Sequence, residues 1–194
     1  MTQRISTMLL TTTALALVTT MVGRADAPPQ TSSKASEAAD AAQVKRGQYL
    51  VKIMACNDCH TPWIVGANGP EPDMTRMLSG HPAQMTLPPA PGPTGPWVMH
   101  FAGTNTAWAG PWGVSFTANL TPDKDSGLGE WTEDMFVATI RTGRHQGKGR
   151  VVLPPMPIGQ YKNATDEDLK AIFRYLQSIP AIRNKVPTPL EPEE

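Results

Sequence analysis

The chain has 194 residues, a length that suits one domain, and its 17 basic and 17 acidic side chains cancel to a formal net charge of +0. A chain without a net field offers no electrostatic handle for nucleic acid or an anionic membrane, so neither is expected as a partner. With 20 prolines, 16 glycines and only 6% aromatic residues, a large side-chain core is excluded; a small core among irregular loops is expected, with room for a prosthetic group to supply apolar surface.

In chain order, Arg4 and an uncharged, threonine-interrupted apolar run over residues 8–22 read as an export signal. The run falls short of the ~20 residues that cross a bilayer. Small residues at Gly23 and Ala25 place cleavage after Ala25, and Pro28 disfavours a cut after Ala27. Residues 1–25 are therefore expected to be a signal peptide and the mature chain periplasmic, with membrane attachment only if this segment stays uncleaved. Residues 26–42, rich in Ala, Ser, Pro and mixed charge without apolar period, are expected to form a flexible linker.

A first helix is predicted over residues 42–54, where Val44, Gly47, Leu50, Val51 and Met54 share one face. Glycine inside a helix costs about 1 kcal/mol relative to alanine. Gly47 therefore predicts close approach of a second helix.

Directly after that helix stands Cys56-Asn57-Asp58-Cys59-His60, which uses both cysteines of the chain. A pair of thiols two residues apart followed by histidine reads as covalent attachment of one c-type haem, with His60 on the iron. The competing readings are weaker. A redox dithiol usually accompanies alternating strands and helices, and a closed zinc site needs four ligands; against a structural disulfide or a chance match stand the use of the whole cysteine inventory and the export signal.

Residues 61–115 are dense in Pro, Gly and Met, and the run Leu87-Pro88-Pro89-Ala90-Pro91-Gly92-Pro93 cannot form a regular helix or central strand. This long insertion is expected to wrap the edge of the haem or to form a partner surface. Within it, residues 108–116, with Gly110-Pro111 between aromatic and β-branched residues, predict a short β-hairpin.

A turn-rich passage from Asn119 to Trp131 leads to a second helix over residues 132–141, with Thr132 as cap, Glu133 and Asp134 in its first turn and Thr142-Gly143 as its stop. The basic run Arg141, Arg144, His145, Lys148 and Arg150 is either a solvated surface or a group that meets haem propionates or an acidic redox partner. The third helix carries the plainest signals: Thr165 with Asp168 as a capping pair, Leu169, Ile172, Phe173 and Leu176 on one face, and Pro180 as terminator. The domain proper is thus residues 43–181, followed by an extended acidic tail over 182–194.

One histidine leaves a coordination position on the iron. Met156 is the leading candidate for it, because Leu153-Pro154-Pro155-Met156-Pro157 is a stiff loop with no helical period to make the methionine core. A thioether opposite histidine raises the reduction potential, as suits a one-electron carrier. His145 is the runner-up, and His81 and His100 are the remaining histidines.

These residues together resemble a monohaem c-type cytochrome, and more narrowly the cytochrome c modules of periplasmic alcohol, aldehyde and sugar-acid dehydrogenases. The likeness rests on Arg46-Gly47-Gln48-Tyr49-Leu50 ahead of Cys56 to Thr61, on Asn119 to Asp123 with Gly127, Gly129 and Trp131, on Pro154 to Pro157 with Tyr161, and on Thr165 to Leu169 running to Tyr175-Leu176 and Pro180. It implies an all-α fold of three main helices around the haem, the first and last crossing near Gly47 and residues 173–176. It implies His60 as proximal and Met156 as distal ligand. It further implies that a backbone carbonyl from a proline-containing loop orients the His60 ring, for which Pro70 and Pro72 are the candidates. The chain departs from the pattern in its long insertion and in carrying one haem motif where such subunits often carry several. No acid–base pair or nucleophile stands out, so the expectation is an electron carrier rather than an enzyme. Its partners would be a dehydrogenase, another cytochrome or a terminal oxidase. The alternatives are a haem subunit of a larger dehydrogenase complex, or a haem enzyme or sensor with an open sixth site.

Overall fold

Two helices crossing at a glycine set the architecture. In the computed structural model, residues 31–92 and 95–192 are described; the expected signal peptide and residues 26–30 of the expected linker lie outside them. Helix α1 (Thr31–Ile53) packs on the last helix, α5 (Asp166–Ser178). At the crossing, a Cβ on Gly47 would stand 1.9 Å from the Ala171 carbonyl oxygen and 2.8 Å from Tyr175 Cβ. The helix-lowering glycine thus has the steric reason its position predicted, two backbones meeting with no side chain between them.

Both later helices form where their local signals put them. Thr165 Oγ1 accepts the Asp168 N–H at 3.1 Å to cap α5, whose Leu169, Ala171, Ile172, Phe173, Tyr175 and Leu176 are buried. Thr132 Oγ1 likewise accepts the Met135 N–H at 3.2 Å to cap α3 (Glu133–Thr142). That helix ends on Gly143 at φ 65°, whose N–H returns to the Thr139 carbonyl at 2.9 Å. Phe136 of α3 meets Phe173 of α5 at 5.6 Å between ring centroids, and these with Leu50 and Val51 of α1 form the core. The three main helices α1, α3 and α5 pack together, consistent with the expected cytochrome c-like fold. The short helices α2 (Cys56–His60) and α4 (Ile158–Tyr161) flank this core.

Two expectations need correction. The expected linker is helical from Thr31 onward, so α1 starts well before residue 42. Alanine, glutamate and lysine favour helix without any apolar period, and the described side chains between 34 and 43 are exposed, so packing left no periodic mark. From this segment an ion pair joins Asp40 to Arg174 of α5 at 2.7 Å.

The insertion is also more ordered than a proline-rich loop, and the fold is not purely α. It holds an antiparallel pair, β1 (Trp63–Gly66) with β2 (Gly69–Pro72), and a three-stranded sheet of β3 (His100–Phe101), β4 (Ala107–Gly110) and β5 (Gly113–Phe116). The β4–β5 unit is the predicted hairpin. In β2, Pro70 and Pro72 are tolerated because a two-stranded sheet consists of edges. Asn68-Gly69, with Gly69 at φ 112°, is a hairpin signal that the surrounding prolines obscured.

Candidate haem-binding site

Ala55 takes a left-handed conformation (φ 56°, ψ 32°) between α1 and α2, turning the chain so that Cys56, Cys59 and His60 all line one cavity of about 540 Å³. Met156 lines the same cavity, with Pro154, Pro155 and Pro157 around it. Four side chains separated by up to a hundred positions in sequence are thus brought together. His145 reaches this cavity too, whereas His81 and His100 do not. His81 is fully buried elsewhere, Nδ1 on Thr106 Oγ1 at 2.9 Å, and His100 sits in β3.

The histidine is held firmly. His60 Nδ1 lies 2.8 Å from the Ala118 carbonyl, and because a carbonyl only accepts, Nδ1 carries the proton and Nε2 is left for a ligand. The His60 carbonyl in turn accepts the Gly80 N–H at 2.8 Å. Gly80 is required there: its φ is +78°, and a Cβ would come within 2.4 Å of the Thr117 carbonyl. The orienting carbonyl is therefore that of Ala118, not one from the Pro70 or Pro72 stretch, which forms β2 instead. A backbone acceptor on an alanine leaves no sequence signal, and sequence reasoning had no means to find it.

Burial sets the charge states. It pushes the His60 imidazole below its ordinary range against the opposing pull of Ala118, so the ring is neutral, the form that ligates metal. Burial also pushes the Cys56 thiol up to about 12 and raises Cys59, with Asp58 adding to the latter. Both thiols are free. Tyr161, its phenol likewise pushed up to about 12 chiefly by burial, donates to the Met54 carbonyl just ahead of the motif.

The walls are apolar: Leu120, Leu128, Phe136, Ile140, Leu153 and Ile158 among others. Two thiols, a neutral imidazole and a thioether around such a hollow fit a porphyrin with iron. They fit zinc poorly, since among the described residues no group of three or more His, Cys, Asp or Glu gathers. At the rim, Lys124 pairs with Glu130 at 3.8 Å and Asp125 with Arg183 at 3.9 Å. Arg150 and Lys185 line the cavity, and among the described residues neither has a carboxylate partner. The rest of the basic run divides: Arg141 binds the Lys162 carbonyl and Asp166, and Arg144 the Gly149 carbonyl.

The passage from Asn119 to Trp131 makes one wall. Asp123 Oδ1 accepts from Ser126 N–H at 2.8 Å and Oγ at 2.6 Å, and the Asp123 carbonyl accepts from Gly127 and Gly129. Either glycine's Cβ would strike backbone, at 2.2 Å from the Thr121 carbonyl oxygen for Gly127 and 2.6 Å from that of Pro122 for Gly129. Ser126 holds the Asp123 carboxyl below the usual carboxylate range. A group with a lowered folded pKa stabilises the fold above its unfolded pKa and loses that contribution as pH falls through the folded value. Acidification through and below the carboxylate range is therefore expected to loosen this wall, followed by Trp131 fluorescence; Asp123→Asn should flatten that acid transition.

No family model matches the chain. Among curated proteins it is 30% identical over 141 residues to the gluconate 2-dehydrogenase cytochrome c subunit of Pantoea cypripedii, covering 73% of this chain and 24% of that subunit. It is 26% identical over 152 residues to the cytochrome c subunit of the quinone alcohol dehydrogenase of Gluconobacter oxydans, covering 77% and 24%. Against the fructose dehydrogenase cytochrome subunit of Gluconobacter japonicus it is 26% identical over 152 residues, covering 75% and 24%. The chain spans about a quarter of the length of these relatives. The resemblance read from its motifs thus extends along about three quarters of its length to these three cytochrome subunits of dehydrogenases.

Proposed function

We propose, from this kinship, that the chain is a periplasmic electron-transfer protein that binds one c-type haem through Cys56 and Cys59, with His60 and Met156 on the iron. The observation that carries the reading is that one apolar cavity collects those four side chains; His145 and Met54 are the other histidine and methionine that line it. When bound, the haem supplies reversible one-electron chemistry. The protein's residues do the rest. Ala118 fixes the His60 tautomer and ring orientation. The proline-held loop presents the Met156 sulfur, supported by Ser115 Oγ, which donates to the Pro154 carbonyl at 2.6 Å. Leu120, Leu128, Phe136 and Ile140 would keep water out, and Arg150 and Lys185, which line the cavity, would supply cations for the propionates.

Expression with a cytochrome maturation system is expected to yield protein one haem heavier, a mass that survives denaturation, and one haem per chain by pyridine haemochrome. A Cys56→Ser, Cys59→Ser double variant should lose the covalent mass. Colourless wild-type protein would defeat the reading. Fast binding of carbon monoxide to untreated protein would favour an open sixth site instead.

The subunit alternative has a specific observation in its favour. Between residues 61 and 117 the sole Asp, Glu, Lys or Arg side chains are Glu71, Asp73 and Arg76, while Val65, Trp97 and Phe101 are 87%, 70% and 62% exposed. Carriers steered by charge show fields at their docking face, whereas lasting interfaces are apolar. A dehydrogenase partner is the one the relatives' names suggest, and its complex with this chain should persist in high salt.

A further inference from the structure

One wall of the cavity comes from residues 185–189. Lys185, Val186, Pro187, Thr188 and Pro189 line it, although their composition reads as a tail. No helix or sheet holds them; two anchors do. At one end Asn184, 9% exposed, donates from Nδ2 to the carbonyls of Ser79 at 2.7 Å and His81 at 2.8 Å. Its Oδ1 accepts the Ala83 N–H at 2.9 Å, and its own N–H goes to Ser126 Oγ at 2.9 Å. Both side-chain donors and the acceptor are thus employed, which is what a buried amide requires. At the other end Leu190 exchanges both backbone hydrogen bonds with Val114 of β5 at 2.9 Å. Gly113 makes room for this, since a Cβ there would meet the Leu190 carbonyl oxygen at 2.0 Å. Between the anchors, Pro187 and Pro189 have no N–H to satisfy, so they can face an apolar hollow without a polar partner.

The Asn184 anchor also adjoins the histidine. Ser79 and His81 flank Gly80, whose N–H donates to the His60 carbonyl at 2.8 Å. The His81 N–H donates to the Thr117 carbonyl at 3.0 Å, one residue before the Ala118 carbonyl that orients the imidazole. Strap and ligand therefore share residues 79–81 as a common support.

We propose that residues 184–190 are a strap forming one wall of the haem cavity, that Asn184 is the positioning residue that latches it, and that the strap sets how dry and how closed the iron's surroundings are. The inference rests on the haem reading above. The shell around a metal site governs solvent access and dielectric, and through them the reduction potential. A detached strap would admit water and small ligands along Val186 to Pro189.

The test uses the full-length, haem-loaded protein and two variants. Asn184→Asp keeps size and acceptor but loses both N–H donors; a chain ending at Lys185 keeps the latch and removes most of the wall. Both are expected to lower the reduction potential and to bind added imidazole about tenfold faster or more, the scale at which supporting contacts act on metal sites. Haem content should stay at the wild-type level, and amide exchange at Val114 should rise in Asn184→Asp. Unchanged potential and imidazole binding in both variants would overturn the strap while leaving the haem reading intact. Wild-type protein without covalent haem would sink the reading beneath it. If Asn184→Asp fails to fold, the shortened chain decides alone.

Discussion

Gly47→Leu is expected to leave the protein without a cooperative fold. The Cβ position at Gly47 lies 1.9 Å from the Ala171 carbonyl oxygen, 2.6 Å from its carbon and 2.8 Å from Tyr175 Cβ. Two of these are backbone atoms in the middle of a hydrogen-bonded helix and cannot rotate aside. Relief requires α1 and α5 to separate, which exposes Leu50 and Val51 on one side and Ile172 and Leu176 on the other. Burying each such side chain contributes roughly 1.5–3 kcal/mol, against a whole-domain stability of about 5–15 kcal/mol. Gly47→Ala sharpens the test, because helix propensity alone favours it by about 1 kcal/mol. Overpacking costs about 1–3 kcal/mol, so the net result should still be destabilising. Urea melts followed by far-UV circular dichroism would show this, and an alanine variant as stable as wild type would refute the close crossing. Gln48→Ala, on the exposed side of α1, is the neutral control.

What the sequence made legible follows from how local each signal is. The caps of α3 and α5 lie within four residues of what they cap, so Thr132 and Thr165 announced their helices. Gly47 was legible because a glycine in a helix demands a cause. Cys56, Cys59 and His60 stood out by their fixed spacing, and the structure brings all three to one cavity. The N-terminal part of α1 was not, since a helix that packs against almost nothing carries no period. Nor was the Ala118 carbonyl, because any residue can offer one. Residues 182–190 read as a tail for a related reason: proline and acidic composition describe the segment, while its place depends on Asn184 meeting carbonyls about a hundred positions away. The sheets of the insertion were half legible. The β4–β5 turn has its Gly-Pro, whereas β1 and β2 are masked by prolines that edge strands tolerate.

Met156→His is expected to drop the reduction potential and abolish the sulfur-to-iron absorption band while the haem stays covalently attached. The thioether is a weak, soft ligand that favours the reduced iron, and imidazole is a stronger donor that favours the oxidised form. Axial ligands span roughly 0.8 V among haem proteins, so this exchange should move the potential by a readily measured part of that range. The backbone that holds residue 156 does not depend on its side chain: Ser115 Oγ grips the Pro154 carbonyl at 2.6 Å, and the Ile158 N–H reaches the Met156 carbonyl at 2.8 Å. The loop should therefore keep its place, and Met156→Ala should open the position to added imidazole rather than unfold the protein. His145 provides the internal control. Its ring stands edge-on to Trp131 at 4.9 Å and lines the same cavity, so it is the histidine placed to compete. If Met156→Ala keeps the band and the potential while His145→Ala loses them, the ligand is His145 and the proline-held loop is a wall rather than a holder. If Met156→Ala alone loses both, the thioether is the ligand, and the three prolines around it exist to keep a weakly bound sulfur within reach of the iron.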